Sequence, residues 1–168
     1  MNITICEATN ADKEIIQNLA RFYVYEMSRF CGKRPDWKTP SNGLFECNDL
    51  SSYFEASDRY PFLIKINDEL AGFVLVNKVG STSDVDWNVG EFFVTSKFQG
   101  KGVGRFVAEQ IFKRFPGIWE TAQMPENKPA IDFWEKVVRR YTKGAFEKQQ
   151  KIIQEPKPHT MVVLKFTS

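Results

Sequence analysis

Several features that mark particular protein classes are scarce or missing in this sequence. The 168 residues include three cysteines, Cys6, Cys31 and Cys47, and one histidine, His159. No two cysteines form a C-x-x-C pair, and one histidine without a cysteine cluster cannot build an ordinary zinc site, so we expect no metal site. An odd, scattered set of cysteines favours reduced thiols over a disulfide framework, which predicts a cytoplasmic protein. We expect His159 to be a structural residue near the start of a late strand.

Long apolar runs and charge of a single sign are also missing. No apolar segment approaches the ~20 residues that a membrane span requires, and the segment 1–14 lacks the basic-then-apolar pattern of a signal peptide. Lys and Arg together number 23 and Asp and Glu 21, which gives a net charge of +2. This balance gives no electrostatic reason to expect nucleic acid or a membrane surface as a partner.

Aromatic residues, in contrast, are plentiful, with 15 Phe and four Trp. A chain of this length has the size of one domain and can bury roughly two thirds of the surface that its unfolded form exposes. We therefore predict a single domain over residues 1–168 with a substantial aromatic core.

The spacing of apolar residues predicts alternating strands and helices. The predicted strands span residues 2–8, 61–67, 70–79, 85–94, 118–123, 141–150 and 160–166. The predicted helices run from a cap at Thr9 or Asn10 to about residue 29, over 49–57 from a cap at Asn48 or Asp49, over 103–115 and over 129–138. Irregular loops are predicted over 31–48 and between the last two strands, and a hairpin turn at 67–69. The order predicts a mixed α/β sheet with helices on both faces, in which strand 118–123 runs parallel to strand 85–94.

Three glycines, Gly100, Gly102 and Gly104, lie between the strand that ends at Val94 and the helix that follows. Glycine lets a ligand approach the backbone because it has no Cβ. A turn that opens a helix also leaves amide N–H groups unpaired at the positive end of the helix dipole. Such a turn is typical of a phosphate or pyrophosphate site, and a helix cap without a ligand is the alternative interpretation.

Two common phosphate-binding motifs do not fit the spacing of this turn. The P-loop requires GxxxxGK[ST], and no Gly-Lys-Ser/Thr stands at that offset. The dinucleotide motif GxGxxG is matched at Gly100 and Gly102, but Arg105 occupies the position of the third glycine. No acidic residue ends a second strand ~20 residues further on, as that motif also requires.

The segment from Gln99 to Gly104 does match Q/R-x-x-G-x-G/A, and here the sequence resembles the GNAT superfamily of acyl-CoA-dependent N-acetyltransferases. A second segment, residues 127–136 (NKPAIDFWEK), is similar to the family's N-x-x-A-x-x-F-Y-E-K helix. The two motifs follow each other in the family's order and with roughly its separation. The resemblance implies a mixed, mostly antiparallel sheet whose fourth and fifth strands run parallel and splay apart. The pantetheine arm of acetyl-CoA enters that cleft in the family.

The resemblance assigns roles in acetyl-CoA binding to three groups of residues. It implies contacts to the coenzyme A pyrophosphate for Gly100, Lys101, Gly102, Val103, Gly104 and Arg105. It implies backbone contacts to the pantetheine amides for Phe92, Phe93 and Val94, whose side chains are expected in the core. It matches Asn127 to an asparagine that contacts the cofactor, and an ordinary helix N-cap is the alternative. Lys101 and Arg105 would either add charge near the phosphates or be solvated surface cations.

Glu91, at the start of the EFFV segment, is the candidate catalytic base. Amine acylation needs an unprotonated nitrogen, and a nearby carboxylate can take the proton directly or through a water. Partial burial in this strand would raise the pKa of Glu91 toward a useful value. A purely structural carboxylate is the alternative, and Asp84 and Asp86 are other candidates for the base, which could also attract a cationic amine.

One position departs from the family pattern. The family often has Tyr after the Phe of the second motif, where it serves as the acid for the leaving thiolate. Trp134 occupies this position and has no acidic proton of suitable pKa. Tyr141 lies further along but does not match the register.

These observations predict an N-acetyltransferase that transfers the acetyl group of acetyl-CoA to a primary amine of a small molecule or peptide. The amine would attack directly in a ternary complex, with the oxyanion stabilised by a backbone N–H of the strand 92–94. We expect Tyr23, Glu26, the loop 31–48, and Asp84 or Asp86 to line the acceptor pocket. The alternative is a non-catalytic acyl-CoA sensor or interaction module on the same fold, which Trp134 favours. The sequence leaves open whether the protein forms a homodimer.

Overall fold

The structure is a computed structural model, which describes residues 1–35, 37–47, 50–154 and 157–168. The strands are β1 Ile3–Glu7, β2 Arg59–Ile66, β3 Glu69–Asn77, β4 Trp87–Val94, β5 Ile118–Gln123, β6 Phe146–Ile153 and β7 His159–Thr167. The helices are α1 Lys13–Cys31, α2 Ser52–Glu55, α3 Val103–Arg114 and α4 Lys128–Tyr141, with short 3-10 turns at Asn10–Asp12 and Ser96–Phe98. In this part of the chain no helix is long and apolar enough to cross a membrane.

Seven strands are hydrogen-bonded in the order β1-β2-β3-β4-β5-β7-β6. The pairs β1–β2, β5–β7 and β6–β7 are antiparallel, whereas β4 and β5 are parallel. The parallel ladder runs from Trp87 paired with Trp119 to Val89 paired with Thr121. The predicted mixed, mostly antiparallel sheet with one parallel pair is thereby confirmed.

The chain divides into two compact units, and strands β3 and β4 each begin in one and end in the other. The first unit contains residues 1–75 and 91–103. In this unit α1 buries Ile16 and Ala20 against Leu63 and Phe73 of the sheet. Apolar residues at helical spacing on α1 and at alternating positions on the strands produce this packing.

The second unit, residues 76–90 and 104–168, has a core of aromatic rings around Phe112 of α3. The Phe112 ring lies 5.0 Å from Trp119, 4.8 Å from Phe166 and 5.3 Å from Tyr141, all in edge-to-face arrangements. Aromatic pairs favour such geometry because the positive edge of one ring meets the negative face of the other. The prediction of one domain over residues 1–168 stays a prediction.

Local sequence signals placed most element boundaries well, with one error. The hairpin turn between β2 and β3 is confirmed, with Asn67 and Asp68 at φ 48° and 66°, conformations that these short polar residues tolerate. The predicted strand over 141–150 was wrong at its start, because α4 continues through Tyr141 and Thr142 bonds back to Val138. Gly144 at φ 92° then ends the turn, and β6 begins at Phe146.

Some predictions concern positions outside the described residues. The helix cap at Asn48 or Asp49 is one of them, although α2 itself forms at Ser52–Glu55. Two residues of the loop between the last strands, Glu155 and Pro156, also lie outside.

A buried carboxylate ties the loop after β3 to the second unit's strands. Glu120 on β5 is 3% exposed. It accepts hydrogen bonds from the backbone N–H of Ser81 at 2.8 Å and from the Ser81 hydroxyl at 2.7 Å. Lys151 of β6 completes the group, with its Nζ 3.1 Å from Glu120 Oε1 and 2.6 Å from Ser81 Oγ. Lys151 is therefore the cation that contacts the buried Glu120 carboxylate.

Replacing Lys151 with Met should lower the free energy of unfolding by about 3 kcal/mol, because the buried Glu120 would lose the cation that it contacts, and Lys165, opposite on β7, is paired with Asp84. Lys148→Met is the matched control on the same strand. This substitution removes a more exposed ion pair with Glu135, and Glu135 keeps its other partner, Arg139. It should lower the free energy of unfolding by less than about 1 kcal/mol. Urea unfolding of both variants at pH 7 measures the difference, and equal losses would contradict the interpretation.

Candidate functional site

Glu91 of β4 is half-buried in the first unit, among the residues packed around α1. Burial raises its pKa from 4.5 to about 7, although hydrogen bonds from Tyr23 and Cys47 act in the opposite direction. Cys47 Sγ lies 3.8 Å from Glu91 Oε1. Within the described part of the chain, no Lys, Arg or His is paired with this carboxyl group. Glu91 therefore exchanges a proton near neutral pH.

Tyr23 of α1 lies near Glu91 and packs against two aromatic rings. Its ring lies 6.1 Å from Phe73 in an edge-to-face arrangement and 6.0 Å from Phe93. Burial raises the pKa of the Tyr23 phenol well above its usual value, and the neighbouring Glu91 charge raises it further. The phenol consequently keeps its proton at neutral pH.

One helical turn beyond Tyr23, Glu26 makes a second contact from α1. Its Oε1 accepts a hydrogen bond of 3.0 Å from Ser96 Oγ, just after the end of β4. Helical residues three apart lie on the same face, so Tyr23 and Glu26 both point toward the C-terminal half of β4 and the segment after it. Two of the predicted acceptor-lining residues are thus brought close to Glu91 and Ser96.

The glycine turn has the backbone conformation that its sequence demands. Gly100 and Gly102 have φ of 72° and 80°, a region that side-chain-bearing residues rarely adopt. Among the described residues, the backbone N–H groups of residues 100–103 donate no turn, loop or cap hydrogen bond. Helix α3 begins at Val103. The turn therefore presents a set of unsatisfied donors where a helix starts.

Phe92, Phe93 and Val94 form the end of β4 that leads toward this turn. Phe93 and Val94 are buried, as expected of core side chains, whereas Phe92 is half-buried. Gly72 of β3 lies so close to this segment that an added Cβ would collide with the Phe93 carbonyl oxygen. Gln99 Nε2 donates to the Val94 carbonyl oxygen at 2.7 Å, which connects the strand end to the start of the turn.

Asn127 lies in the second unit and serves as the N-cap of α4. Its Oδ1 accepts a hydrogen bond of 3.2 Å from the backbone N–H of Ala130, and the residue is 8% exposed. The capping role proposed as the alternative is thus present, and a contact to a cofactor stays a prediction. Lys101 and Arg105, the two cations assigned to the phosphates, are also untested in that role.

Trp134 lies in the aromatic core of the second unit. The side chain is 6% exposed, with its ring 6.4 Å from Phe112 and 5.1 Å from Phe133. Tyr141, the other aromatic candidate, packs against Phe112 at the end of the same helix. Both residues contribute to the aromatic core of the second unit.

The two alternative carboxylates are committed to other partners. Asp84 Oδ2 lies 2.6 Å from Lys165 Nζ, and its Oδ1 accepts a hydrogen bond of 2.7 Å from Thr82. These hydrogen bonds hold the pKa of Asp84 down to about 2, which makes it a weak proton acceptor at neutral pH. Asp86 accepts a hydrogen bond from the backbone N–H of Ile118 at 2.8 Å. Glu91 is the carboxylate whose pKa suits a base.

In the described ranges of the chain, no group of three His, Cys, Asp or Glu side chains is arranged to hold a metal ion. All three cysteines lie in these ranges as thiols.

The model of the GNAT acetyltransferase family matches residues 21–138 of the sequence, a range that contains the C-terminal half of α1, β4, the glycine turn and most of α4. The chain belongs to the GNAT acetyltransferase family. No curated protein sequence matches it closely enough to be called a relative.

Solved structures show the same GNAT fold at low sequence identity. An acetyltransferase from Thermus thermophilus is 13% identical with a TM-score of 0.68, and the match covers 100% of this chain and 98% of that one. An aminoglycoside acetyltransferase in complex with coenzyme A is 17% identical with a TM-score of 0.65, covering 99% and 95%. A spermidine N-acetyltransferase chimera partly from Vibrio cholerae is 11% identical with a TM-score of 0.61, covering 99% and 96%.

The sequence did not predict the surroundings of some polar residues in this GNAT protein. Tyr23 was expected as a pocket-lining residue and not as a partner of Glu91, and Cys47 was expected as an ordinary thiol. Thr121 and Gln123 of β5 were not singled out. Their Oγ1 and Oε1 atoms are buried and have no hydrogen-bond partner among the described residues. Side chains alternate between the two faces of a strand, so residues 121 and 123 lie on the same face of β5. This spacing is the signal by which the sequence could have predicted that they lie together.

The raised pKa of Glu91 predicts a pH-dependent loss of stability. A carboxyl group whose pKa is higher in the folded state than in the unfolded state stabilises the fold while it is protonated. This contribution is fully present below pH 4.5 and is lost as the pH rises through about 7. Glu91→Gln removes the titration. The wild type should therefore lose about 3 kcal/mol relative to this variant between pH 4.5 and pH 8.

Urea unfolding of both proteins across this pH range measures the effect, because titrations elsewhere cancel in the comparison. Parallel stability curves for the wild type and Glu91→Gln would show that Glu91 has an ordinary pKa.

Proposed function

We propose that the protein is a cytoplasmic N-acetyltransferase that transfers the acetyl group of acetyl-CoA to a primary amine of a small molecule or peptide. The observation that carries the proposal is the half-buried Glu91 on β4, a carboxyl group with a pKa near 7 in a member of an acetyltransferase family.

The chemistry of amine acylation needs such a group. A primary amine is mostly protonated at neutral pH and cannot attack until it loses a proton. A base works best when its pKa lies near the operating pH, because it is then both available and strong enough. Glu91 would accept this proton, directly or through a water. A backbone N–H of the 92–94 strand would stabilise the negative charge that develops on the reacting carbonyl oxygen.

The residues assigned to acetyl-CoA have the chemistry to hold it. The unsatisfied N–H groups of residues 100–103, together with those at the start of α3, suit a diphosphate. Gly100, Lys101, Gly102, Val103, Gly104 and Arg105 would bind the pyrophosphate. The backbone of Phe92, Phe93 and Val94 would pair with the pantetheine amides, and Asn127 would add a polar contact. When bound, acetyl-CoA supplies the acetyl group as a thioester.

The unpartnered buried atoms of Thr121 and Gln123 also support a polar ligand. Buried polar atoms without a partner are rare in native proteins, and a bound ligand or water often accounts for them.

The leaving group sets a smaller demand on the protein. With Trp134 in the aromatic core, the second motif provides no acid for the departing thiolate. A thiol has a pKa near ~8.5, so its thiolate can leave without a side-chain acid.

The family and the first unit support a primary amine as the acceptor. Two structural neighbours are named as acetyltransferases of spermidine and of aminoglycosides. Tyr23, Glu26 and the loop predicted over 31–48, of which the structure describes residues 31–35 and 37–47, would line the acceptor side near Glu91. The ion pair between Asp84 and Lys165 weakens the expected role of Asp84 in attracting a cation.

A second candidate function is a non-catalytic acyl-CoA sensor on the same fold. The burial of Trp134 at the position of the usual tyrosine favours it.

When the protein is incubated with acetyl-CoA and a panel of primary amines, free thiol should be released with at least one amine class. A thiol reagent measures the release. Glu91→Gln should lower kcat by about 10²–10⁴, since it removes the base. Glu147→Gln on β6 is the control and should keep full activity. Coenzyme A binding without thiol release for any amine class would favour the sensor.

Gly100→Ala should weaken binding of coenzyme A by about tenfold or more, because the strained turn would no longer present its N–H groups together. Gly144→Ala is a matched control. It also has positive φ and open space around the added Cβ, but lies between α4 and β6. Calorimetric titration with coenzyme A compares the two, and equal affinities would contradict the assigned pyrophosphate site.

A further inference from the structure

Two polar side chains on β5 carry buried atoms without a partner. Thr121 is fully buried and Gln123 is 6% exposed. Among the described residues, neither Thr121 Oγ1 nor Gln123 Oε1 has a hydrogen-bond partner. A polar atom that has lost water without gaining a partner costs free energy, so such atoms are rare in native proteins. Two of them, two residues apart on one strand, point to a place that a ligand completes.

Both side chains lie on the face of β5 that packs against α3. Side chains alternate along a strand, so Trp119, Thr121 and Gln123 share one face. The Trp119 ring lies 5.0 Å from Phe112 of α3, which identifies that face. The cross-strand neighbours of the pair on β7 are two buried apolar residues, Leu164 and Val162. A neutral ligand group suits these apolar surroundings better than an ion does.

Gln123 also lies at the edge of the sheet where α3 begins. The parallel register with β4 ends at the pair Val89–Thr121, so Gln123 follows the last paired residue of β5. In a β-α-β crossover, the helix starts at the edge where both parallel strands end. Ligands of α/β sheets bind outside these carboxyl ends. Within the second unit, the unpartnered pair is therefore close to the edge at which a ligand would enter.

The unpartnered atoms define the chemistry of the group that would meet them. Gln123 Oε1 can only accept a hydrogen bond, whereas Thr121 Oγ1 can accept or donate one. The ligand must therefore offer an N–H or O–H donor. Within acetyl-CoA, the ionised pyrophosphate oxygens are acceptors and the thioester has no donor. The pantetheine arm offers two amide N–H groups and a hydroxyl, all of them neutral.

We propose that Thr121 and Gln123 are ligand-binding residues whose side chains hydrogen-bond the pantetheine arm of acetyl-CoA. This role deepens the proposed function and rests on acetyl-CoA as the acyl donor. The free protein carries two buried atoms without partners, and the bound arm supplies the partners. The pair therefore lowers the stability of the free protein and raises its affinity for the donor.

The double variant Thr121→Val/Gln123→Met tests this role, because both replacements keep the approximate shape of the side chain and remove its polar atoms. Thr160→Val/Gln149→Met is the matched control. It makes the same two changes at exposed positions of β7 and β6.

Urea unfolding of the free proteins is the first measurement. Thr121→Val/Gln123→Met should unfold at a higher urea concentration than the wild type, since it no longer buries unpaired polar atoms. The control should unfold close to the wild type. An unchanged or lower midpoint, or a variant that does not fold, would show that the pair stabilises the free protein and would overturn the proposal.

Calorimetric titration with coenzyme A and with its nucleotide half, 3′-phospho-ADP, is the second measurement. The double variant should bind coenzyme A about tenfold or more weakly and 3′-phospho-ADP as the wild type does. The control should match the wild type for both ligands. Unchanged affinity for coenzyme A, or an equal loss for both ligands, would overturn the pantetheine contact.

Neither measurement requires acetyl transfer. A double variant with higher stability and weaker coenzyme A binding, in a protein that releases no thiol with any amine, would retain the contact and reject the proposed enzyme. Thiol release by the wild type together with unchanged coenzyme A binding by the double variant would do the reverse.

Discussion

The burial of the Glu91 carboxyl group is the constraint on which the candidate site depends. Burial of Glu91 costs free energy when the group is ionised, so its proton is held until near neutral pH. Within the described residues, no ion pair offsets this cost. The Tyr23 phenol and the Cys47 thiol do so in part, and the balance leaves the group able to change its protonation state in the range where amines must be deprotonated.

The rest of the candidate site is built from backbone and not from side chains. Positive φ at Gly100 and Gly102 turns consecutive N–H groups outward, and α3 adds the positive end of its dipole. Gly72 has no Cβ, which allows β3 to approach the Phe93 carbonyl oxygen. In the proposed function these backbone groups would bind the parts that all acyl-CoA molecules share. Backbone contacts place few demands on side chains, and structural neighbours with the same fold share 11–17% of their residues with this chain.

Two features limit which side chains could act as the acid or the base. Trp134 fills a core position where a tyrosine would supply an acid, and its ring packs with Phe112 and Phe133. Asp84, which the sequence offered as a second base, is neutralised by Lys165. Both features concentrate the proposed proton transfer on Glu91, since the other candidate groups are paired or buried in aromatic packing.

Much of the fold could be predicted because its signals are local. The glycine turn, the hairpin at Asn67 and Asp68, the parallel pairing of β4 with β5, and the course of α3 depend on residues close together in the chain. The end of α4 could not be placed, since helix and strand patterns overlap around Tyr141 and the turn at Gly144 decides between them.

The sequence by itself determined the family, the cofactor-type turn and Glu91 as the candidate base, because short motifs and strand patterns carry them. The tertiary structure alone decided which groups surround that base. Tyr23 and Cys47 reach Glu91 from distant positions in the chain, and Lys165 reaches Asp84 across 81 residues. The pKa of a carboxyl group depends on its solvation and on the donors around it. Those are properties of packing between distant segments, which the spacing of residues along the chain does not contain.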